Sequence, residues 1–188
     1  IENKSIVRTK MAQKRGNVPS MNNEEKNSYV KERITKTMLD LLSEYEFSNI
    51  SISQITEAAQ VSRNSFYRNY ADKEDILLQR CRKLLMDWNE DYNTKASDSN
   101  AELYGSLFGH LKENRNFYTL LKKRNLFHIV LTVLLELSGP KPEYENMWAY
   151  TTAFVTYGQY GWIEEWIGRG MQESTETMAA MLSANGME

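Results

Sequence analysis

The stretch ISISQITEAAQVSRNSFYRNYADKEDIL, residues 50–77, decides the fold because it holds three helix starts in close succession. Ser51 opens the sequence SISQ, which has the form of a capping box at a helix N-terminus. Ser62 is a second candidate N-cap, and Asp72 is a third, with carboxylates in the turn that follows it. The pattern predicts two short helices joined by a tight turn near Gln60, followed by a longer helix.

The second short helix has two chemically different sides. Phe66 and Tyr70 are four residues apart and share the inner side, whereas Arg63, Asn64 and Tyr67 fall near the N-terminus or on the outer side. This is the helix-turn-helix pattern, in which the second helix lies in the major groove of DNA and its first residues reach base edges. Arginine can pair with guanine and asparagine with adenine. A solvated helical hairpin with a polar surface fits the same pattern, so the spacing alone leaves both interpretations open.

Helical periodicity extends over most of the remaining chain and predicts an all-α protein of about nine helices. A first long helix is predicted over residues 27–46, and the helix that follows Asp72 continues to about Tyr92. Residues 93–100 have the composition of a linker. Five further helical segments are predicted, at about 101–113, 115–122, 125–138, 144–168 and 174–184.

Composition and charge limit the class of protein. The chain has 188 residues and one cysteine, Cys81, which excludes an internal disulfide framework and suits a reducing cytoplasm. The longest apolar run, residues 126–137, is too short to span a bilayer, and no signal-peptide pattern opens the sequence. Residues 1–85 carry 15 Lys and Arg against 11 Asp and Glu, whereas residues 86–188 carry 8 against 14. The front part therefore tolerates an anionic partner better than the rear part does.

Residues 50–77 resemble the DNA-binding signature of the tetracycline-repressor (TetR/AcrR) family of bacterial transcription regulators. The resemblance rests on the following features: the Ser51 cap, Ile55-x-x-Ala58-Ala59, Val61-Ser62, Phe66-Tyr67, Tyr70 and Lys73-Glu74-x-Ile76. It implies a DNA-binding set of Ser51, Ser53, Ser62, Arg63, Asn64, Ser65, Tyr67, Asn69 and Lys73. Within this set Arg63, Asn64 and Ser53 would contact bases, and Ser51, Ser65, Tyr67, Asn69 and Lys73 would contact phosphates.

Three residues depart from the usual pattern of that family. Gln60 stands where the family has a turn glycine, so a positive φ at this residue would be strained. Asn64 replaces another frequent glycine, and Asn69 replaces a common histidine. These changes affect the turn geometry and the base preference rather than the fold.

For the rear half, the resemblance implies a dimerisation face and an effector pocket. Residues 154–182 resemble the C-terminal region of a subgroup that includes regulators of dihydroxyacetone-kinase operons. The candidate pocket residues are Phe108, His110, Tyr157 and Tyr160. The candidate dimer residues are Trp148, Phe154, Gly158, Gly161, Trp162 and Met178. Packing in an ordinary apolar core is the alternative for each of these aromatic residues.

Together these features predict three parts: a basic flexible arm over residues 1–26, a helix-turn-helix domain over 27–73 and a helical effector and dimerisation domain over 74–188. The predicted function is that of a homodimeric cytoplasmic transcription regulator, by default a repressor, which binds a palindromic operator in double-stranded DNA and responds to an effector. The alternative is a DNA-binding regulator or activator whose rear domain docks a protein partner. No catalytic constellation, metal site, cofactor or membrane contact is predicted.

Overall fold

The computed structural model describes residues 22–95 and 99–184, and this part of the chain is built from nine α-helices and one 3₁₀ turn, without a strand. The front helices are α1 (Asn23–Glu44), α2 (Ile52–Ala58), α3 (Arg63–Asn69) and α4 (Lys73–Lys95), with the 3₁₀ turn at Phe47–Asn49. The rear helices are α5 (Asn100–Glu113), α6 (Arg115–Lys123), α7 (His128–Ser138), α8 (Asn146–Gly168) and α9 (Thr175–Ala184). The predicted all-α class is therefore confirmed.

Helix α1 begins four residues earlier than the periodicity predicted. Asn22 is its N-cap and forms a capping box with Glu25, with both hydrogen bonds at 2.8 Å. The predicted arm over residues 1–26 is therefore too long, because its last residues form the first turn of α1. The rest of that arm, residues 1–21, lies outside the described residues.

The front three helices share one apolar core. Ile34, Met38 and Leu42 from α1 are fully buried, as are Ile55 from α2 and Phe66 from α3. The spacing of four residues along α1 puts its three side chains on one stripe facing the two short helices. Each such burial contributes about 1.5–3 kcal/mol, which short helices need because they are marginal in isolation.

The turn between α2 and α3 has the geometry that the sequence predicted to be strained. Gln60 adopts φ of 55°, and the N–H of Val61 donates to the carbonyl of Thr56 at 3.0 Å, as in a Schellman ending. The Gln60 side chain accepts a hydrogen bond from Arg33 at 3.1 Å. Gln60 thus adopts the left-handed backbone conformation at this turn, where a glycine would be unstrained.

Two arginines join the front helices to the rear bundle. Arg82 on α4 makes two hydrogen bonds, of 2.8 and 2.9 Å, to the Glu136 carboxylate on α7. Arg124, at the end of α6, donates to the carbonyls of Leu42 and Ser43 at 2.8 and 3.0 Å and pairs with Glu46. Because Arg124 satisfies carbonyls that the end of α1 leaves unpaired, it fixes α6 against the C-terminal end of α1.

Cys81 lies in the interior of α4, where burial raises the pKa of its thiol to about 12. The thiol is therefore protonated and unreactive at neutral pH. Within residues 22–95 and 99–184, none of the helices is both long and apolar enough to cross a membrane.

The turn at Gln60 gives a test of backbone strain. Gln60→Gly should raise the free energy of unfolding by about 0.5–1 kcal/mol, because relief of the left-handed backbone outweighs the extra chain entropy of glycine. Gln60→Ala is the matched control, since it keeps the strain and removes the Arg33 contact, and it should lower stability. Urea denaturation of the three proteins measures both effects; a glycine variant less stable than the native chain would show that the Arg33 contact dominates.

Candidate nucleic-acid interface

The rotation of α3 about its axis is fixed by two aromatic side chains. Phe66 has no exposed surface and Tyr70 is 4% exposed, with their rings 5.8 Å apart. The Tyr70 hydroxyl also lies 3.1 Å from the Thr35 hydroxyl on α1. The opposite edge of α3 therefore faces solvent, where Arg63 and Asn64 are exposed.

Tyr67 belongs to the same outer edge. Its side chain is 58% exposed, although its ring meets Phe66 edge-on at 5.3 Å between centroids. A large aromatic residue held at the surface by its neighbour presents its hydroxyl to any molecule that approaches α3. This position agrees with the phosphate contact expected for Tyr67, which remains a prediction.

Two serines of the predicted DNA-binding set, Ser51 and Ser62, are helix N-caps. Ser51 and Gln54 exchange hydrogen bonds of 2.8 and 3.2 Å at the start of α2, as the SISQ sequence predicted. The Ser62 hydroxyl accepts from the Ser65 N–H at 3.0 Å and lies 2.9 Å from the Ser65 hydroxyl. Ser51 and Ser62 are exposed and Ser65 is half-buried, so the caps lie at the same surface as the outer edge of α3.

The structure brings two predicted base-contacting residues together. Arg63 at the start of α3 donates a hydrogen bond to the Ser53 hydroxyl on α2, and both side chains are exposed. The contact orients the guanidinium across the helix pair. Ser53, Arg63 and Asn64 thus lie at the N-terminal ends of the two short helices, where a recognition helix meets base edges.

Asn69 and Lys73 make hydrogen bonds within the chain that the sequence did not predict. The Asn69 amide donates to the Ser65 carbonyl at 2.7 Å, and its side chain is half-buried. The Lys73 ammonium donates to the carbonyls of Phe47 and Ile50 at 2.6 and 2.8 Å and lies 4.3 Å from the centre of the Phe47 ring. Lys73 therefore anchors the 3₁₀ turn to α4, and its phosphate contact remains a prediction.

The predicted pocket residues occupy four different environments. Phe108 is fully buried and packs edge-on against Trp166 at 5.0 Å, and Tyr157 is exposed. Tyr160 packs on Phe127, and burial, with Glu164 nearby, raises its pKa to about 12. Only His110 of the four lines the cleft between α4 and α5.

The His110 imidazole is held in place by contacts within the chain. It lies 3.1 Å from the hydroxyl of buried Tyr118, and partial burial lowers its pKa. The sequence analysis did not select the other residues of this cleft. Among them Trp88 and Tyr92 on α4, and Gly109 and Glu113 on α5, are each four residues apart and so share one face of their helix. That spacing was the available signal.

The predicted dimer residues divide between two surfaces of the rear helices. Gly161, Trp162 and Met178 line an apolar hollow of about 370 Å³ between α8 and α9. Trp148 and Phe154 are exposed on α8, and Gly158 is half-buried.

The same helix exposes two apolar residues that the sequence analysis did not select. Met147 is 76% exposed and Tyr150 is 67% exposed. With Phe154 and Tyr157 they follow spacings of three and four residues, and this periodicity could have identified them. We call these four residues the α8 stripe.

Two family profiles match the chain. The profile of bacterial regulatory proteins of the tetR family matches residues 34–79, from α1 to the first half of α4. The profile of a transcriptional regulator C-terminal region, also of the TetR class, matches residues 98–185. The first match contains the whole helix pair and the second contains the whole rear bundle.

Individual proteins show more distant likeness. The uncharacterized HTH-type transcriptional regulator YxbF from Bacillus subtilis (strain 168) is 26% identical over 103 residues, which are 51% of this chain and 27% of YxbF. The match therefore spans about a quarter of the length of that relative. The crystal structure of a TetR transcriptional regulator from Streptococcus agalactiae 2603V has a TM-score of 0.52 at 18% identity, with 84% of this chain and 93% of that chain covered. This likeness shows a shared fold.

The dihydroxyacetone kinase operon activator DhaS covers 82% of this chain and 92% of its own, at 20% identity and a TM-score of 0.47. That score is too low to support the predicted subgroup, which stays a prediction. The helix-turn-helix geometry and the two profiles nevertheless agree over most of the sequence. The chain belongs to the tetR family of bacterial regulatory proteins and carries the N-terminal helix-turn-helix unit of that family.

Proposed function

We propose that the chain acts in the cytoplasm as a homodimeric repressor that binds a palindromic operator and is released when an effector occupies its rear domain. The outward edge of α3 carries this proposal, because Arg63, Asn64 and Tyr67 are exposed there while Phe66 and Tyr70 are buried behind them. In this arrangement Arg63 and Asn64 read base edges, and Tyr67 contacts a phosphate. Selection of bound fragments from random duplex DNA by the purified protein tests the proposal directly, and recovery of a palindromic sequence is the expected result.

The α8 stripe supports the homodimer. Its residues Met147, Tyr150, Phe154 and Tyr157 are each more than half exposed on one helix. Large apolar side chains concentrated on one exposed surface are typical of an interaction site. A second copy of the chain provides an identical stripe, so the two surfaces can pair about a two-fold axis. Two recognition helices about 34–36 Å apart then meet successive turns of DNA on one face.

Helix α4 supports control by an effector. It begins at Lys73, three residues after the end of the α3 recognition segment at Tyr70, and runs into the rear bundle as far as Lys95. The Arg82–Glu136 pair holds it against α7, and Arg124 holds α6 against the end of α1. A ligand that moves the rear helices therefore changes the position of α3, and a changed spacing between two recognition helices weakens operator binding.

The α8 stripe also supports a second candidate, a regulator whose rear domain docks a protein partner. An exposed apolar stripe can bind a different protein as well as a second copy of the chain. The oligomeric state of the pure protein separates the two, since self-association would cover the stripe, whereas a monomer would leave it open to a partner.

The first prediction concerns base recognition. Arg63→Ala should weaken operator binding by about 1–3 kcal/mol and relax the preference at one base position. The matched control is Arg115→Ala, which removes an exposed arginine at the start of α6. Binding is measured by fluorescence anisotropy on the operator and its single-base variants; an equal loss on every sequence would assign Arg63 to phosphate alone.

The second prediction separates two roles of Lys73. Lys73→Met keeps the length of the side chain but leaves the Phe47 and Ile50 carbonyls without their donor, so the free energy of unfolding should fall by about 1–3 kcal/mol. If the ammonium also neutralises a phosphate, the slope of log K against log[salt] should become shallower by about 0.9. Denaturation and salt titrations measure the two effects separately, with exposed Lys123→Met as the control. Lower stability with an unchanged salt slope would limit Lys73 to the structural role.

The third prediction concerns the dimer. Phe154→Glu should give a monomer with weak operator binding, because burial of an unpaired carboxylate at the centre of the stripe opposes association. Met86→Glu changes an exposed apolar residue on α4 and should leave the dimer intact. Analytical ultracentrifugation and operator titration provide the measurements. A Phe154→Glu protein that remained dimeric would place the interface elsewhere.

A further inference from the structure

A cleft of about 510 Å³ lies between α4 and α5, within the size range of sites that hold small molecules. Its walls are one face of α4 and one face of α5, each with residues recurring at spacings of three and four. The lining consists of Leu84, Asp87, Trp88, Asp91 and Tyr92 from α4, and Ser106, Gly109, His110, Glu113 and Asn114 from α5. The cleft therefore combines aromatic rings with carboxylates.

The cleft is open because the α5 wall carries small residues opposite large ones. A Cβ atom added at Gly109 would have no heavy atom within 4 Å, so a side chain is missing where there is room for one. Ser106, another small residue, accepts a hydrogen bond from the Trp88 indole at 2.9 Å and fixes that ring. Glycine in a helix interior lowers stability relative to alanine. At Gly109 no close contact offsets this loss of stability. The effect of the glycine is instead to leave space in the cleft.

Three aromatic rings, those of Trp88, Tyr92 and His110, lie next to one another in this cleft. Trp88 and Tyr92 are nearly parallel, with centroids 6.1 Å apart and an interplanar angle of 26°. The His110 ring is 6.2 Å from Trp88. Tryptophan and tyrosine rings attract cations through the negative potential over their faces.

The charged groups of the cleft are acidic. Asp87, Asp91 and Glu113 line it, and no lysine or arginine is present among the described lining residues. Asp87 pairs with Lys83 at 2.9 Å, but both side chains are more than half exposed, so solvent screens that pair. Burial is the main cause of the lowered pKa of His110, and the imidazole is therefore neutral near pH 7 and does not offset the carboxylates.

We propose that this cleft is the effector site and that it takes an organic cation, an amine or quaternary ammonium compound with an apolar body. The inference rests on the proposed function, since it gives the chemical class of the effector in that scheme. The cationic centre lies against Trp88 and Tyr92 and pairs with Asp91 and Glu113, while Leu84 contacts the apolar body. An anion is repelled by the three carboxylates, and a neutral molecule of the same shape gains nothing from them.

Binding in this cleft acts directly on α4, because half of the lining belongs to that helix. A ligand that fills the space beside Gly109 separates or re-angles α4 and α5. The same α4 begins directly after the recognition segment, so its displacement reaches α3 without an intermediate element. The site is therefore placed to alter operator affinity.

Two cationic probes and one neutral probe test the chemistry. They are benzyltrimethylammonium, the larger dibenzyldimethylammonium, and neopentylbenzene, which has the shape of the first without its charge. Isothermal titration calorimetry on the full chain should give saturable binding of at least one cation and weaker binding of neopentylbenzene by about fivefold or more, the value of one screened charge pair. Equal binding of the neutral probe, or no saturable binding of either cation at millimolar concentration, would overturn the inference.

Matched variants locate the bound cation. Asp91→Asn and Glu113→Gln should each weaken binding of the cation by about fivefold, whereas Glu90→Gln, an exposed neighbour outside the lining, should have a smaller effect. Gly109→Leu should abolish binding by filling the cleft, and Gly109→Ala should retain part of it. Both glycine variants should fold, because the added Cβ meets no atom within 4 Å and the further atoms of leucine have the cleft of about 510 Å³ to occupy. Unchanged binding in Asp91→Asn, Glu113→Gln and Gly109→Leu would place the cation elsewhere and overturn the assignment.

The effect on DNA is measured separately, by operator anisotropy with and without the cation. If the cation reduces the operator affinity of the native chain but not that of Gly109→Leu, the cleft is supported as an effector site. Cation binding without any change in operator affinity overturns the effector role alone, and operator binding without cation binding overturns the whole inference. In both cases the proposed DNA-binding regulator stands. A protein that binds no duplex contradicts the proposed function instead, whatever the calorimetry shows.

Discussion

Burial of Phe66 is the constraint on which the DNA-binding surface depends. Helix α3 has seven residues, too few to be stable alone, so packing rather than helix propensity sets its orientation. Phe66 is completely buried, and Tyr70 four residues on is tied to Thr35 of α1. A change of register by one residue would rotate α3 by about 100° and carry Arg63 and Asn64 away from their present direction. The exposed polar edge is thus a consequence of the apolar core behind it.

The protein uses several of its cations to hold its own backbone. Lys73 binds two carbonyls around the 3₁₀ turn, and Arg124 binds two carbonyls at the end of α1. These contacts fix the helix pair relative to α4 and α6. With a net charge of −2, attraction to DNA has to come from the front surface rather than from the whole molecule. Orientation of a few exposed side chains therefore matters more here than total charge does.

Local signals in the sequence predicted most of the fold and only part of the site. The caps at Ser51, Ser62 and Asp72 act within three residues, so the sequence determines them without knowledge of the tertiary structure. The cap at Asn22 was missed because the polar first turn of α1 has no apolar periodicity. The burial of Phe108 could not be predicted, since only the packing of α5 against Trp166 determines that its ring is fully buried.

Helix α4 connects the two ends of the molecule mechanically. Its 23 residues span about 35 Å, with Lys73 at the recognition segment and Trp88 in the α4–α5 cleft. Arg82, held by Glu136 of α7, lies between these two points and can act as a pivot. A rotation of about 5° about that pivot would move a point 15 Å away by about 1.3 Å, and the two subunits of a dimer would add their displacements. In the proposed dimer, a displacement of this size at each recognition helix would weaken the proposed bidentate base contacts, because the rigid duplex fixes the spacing of its half-sites.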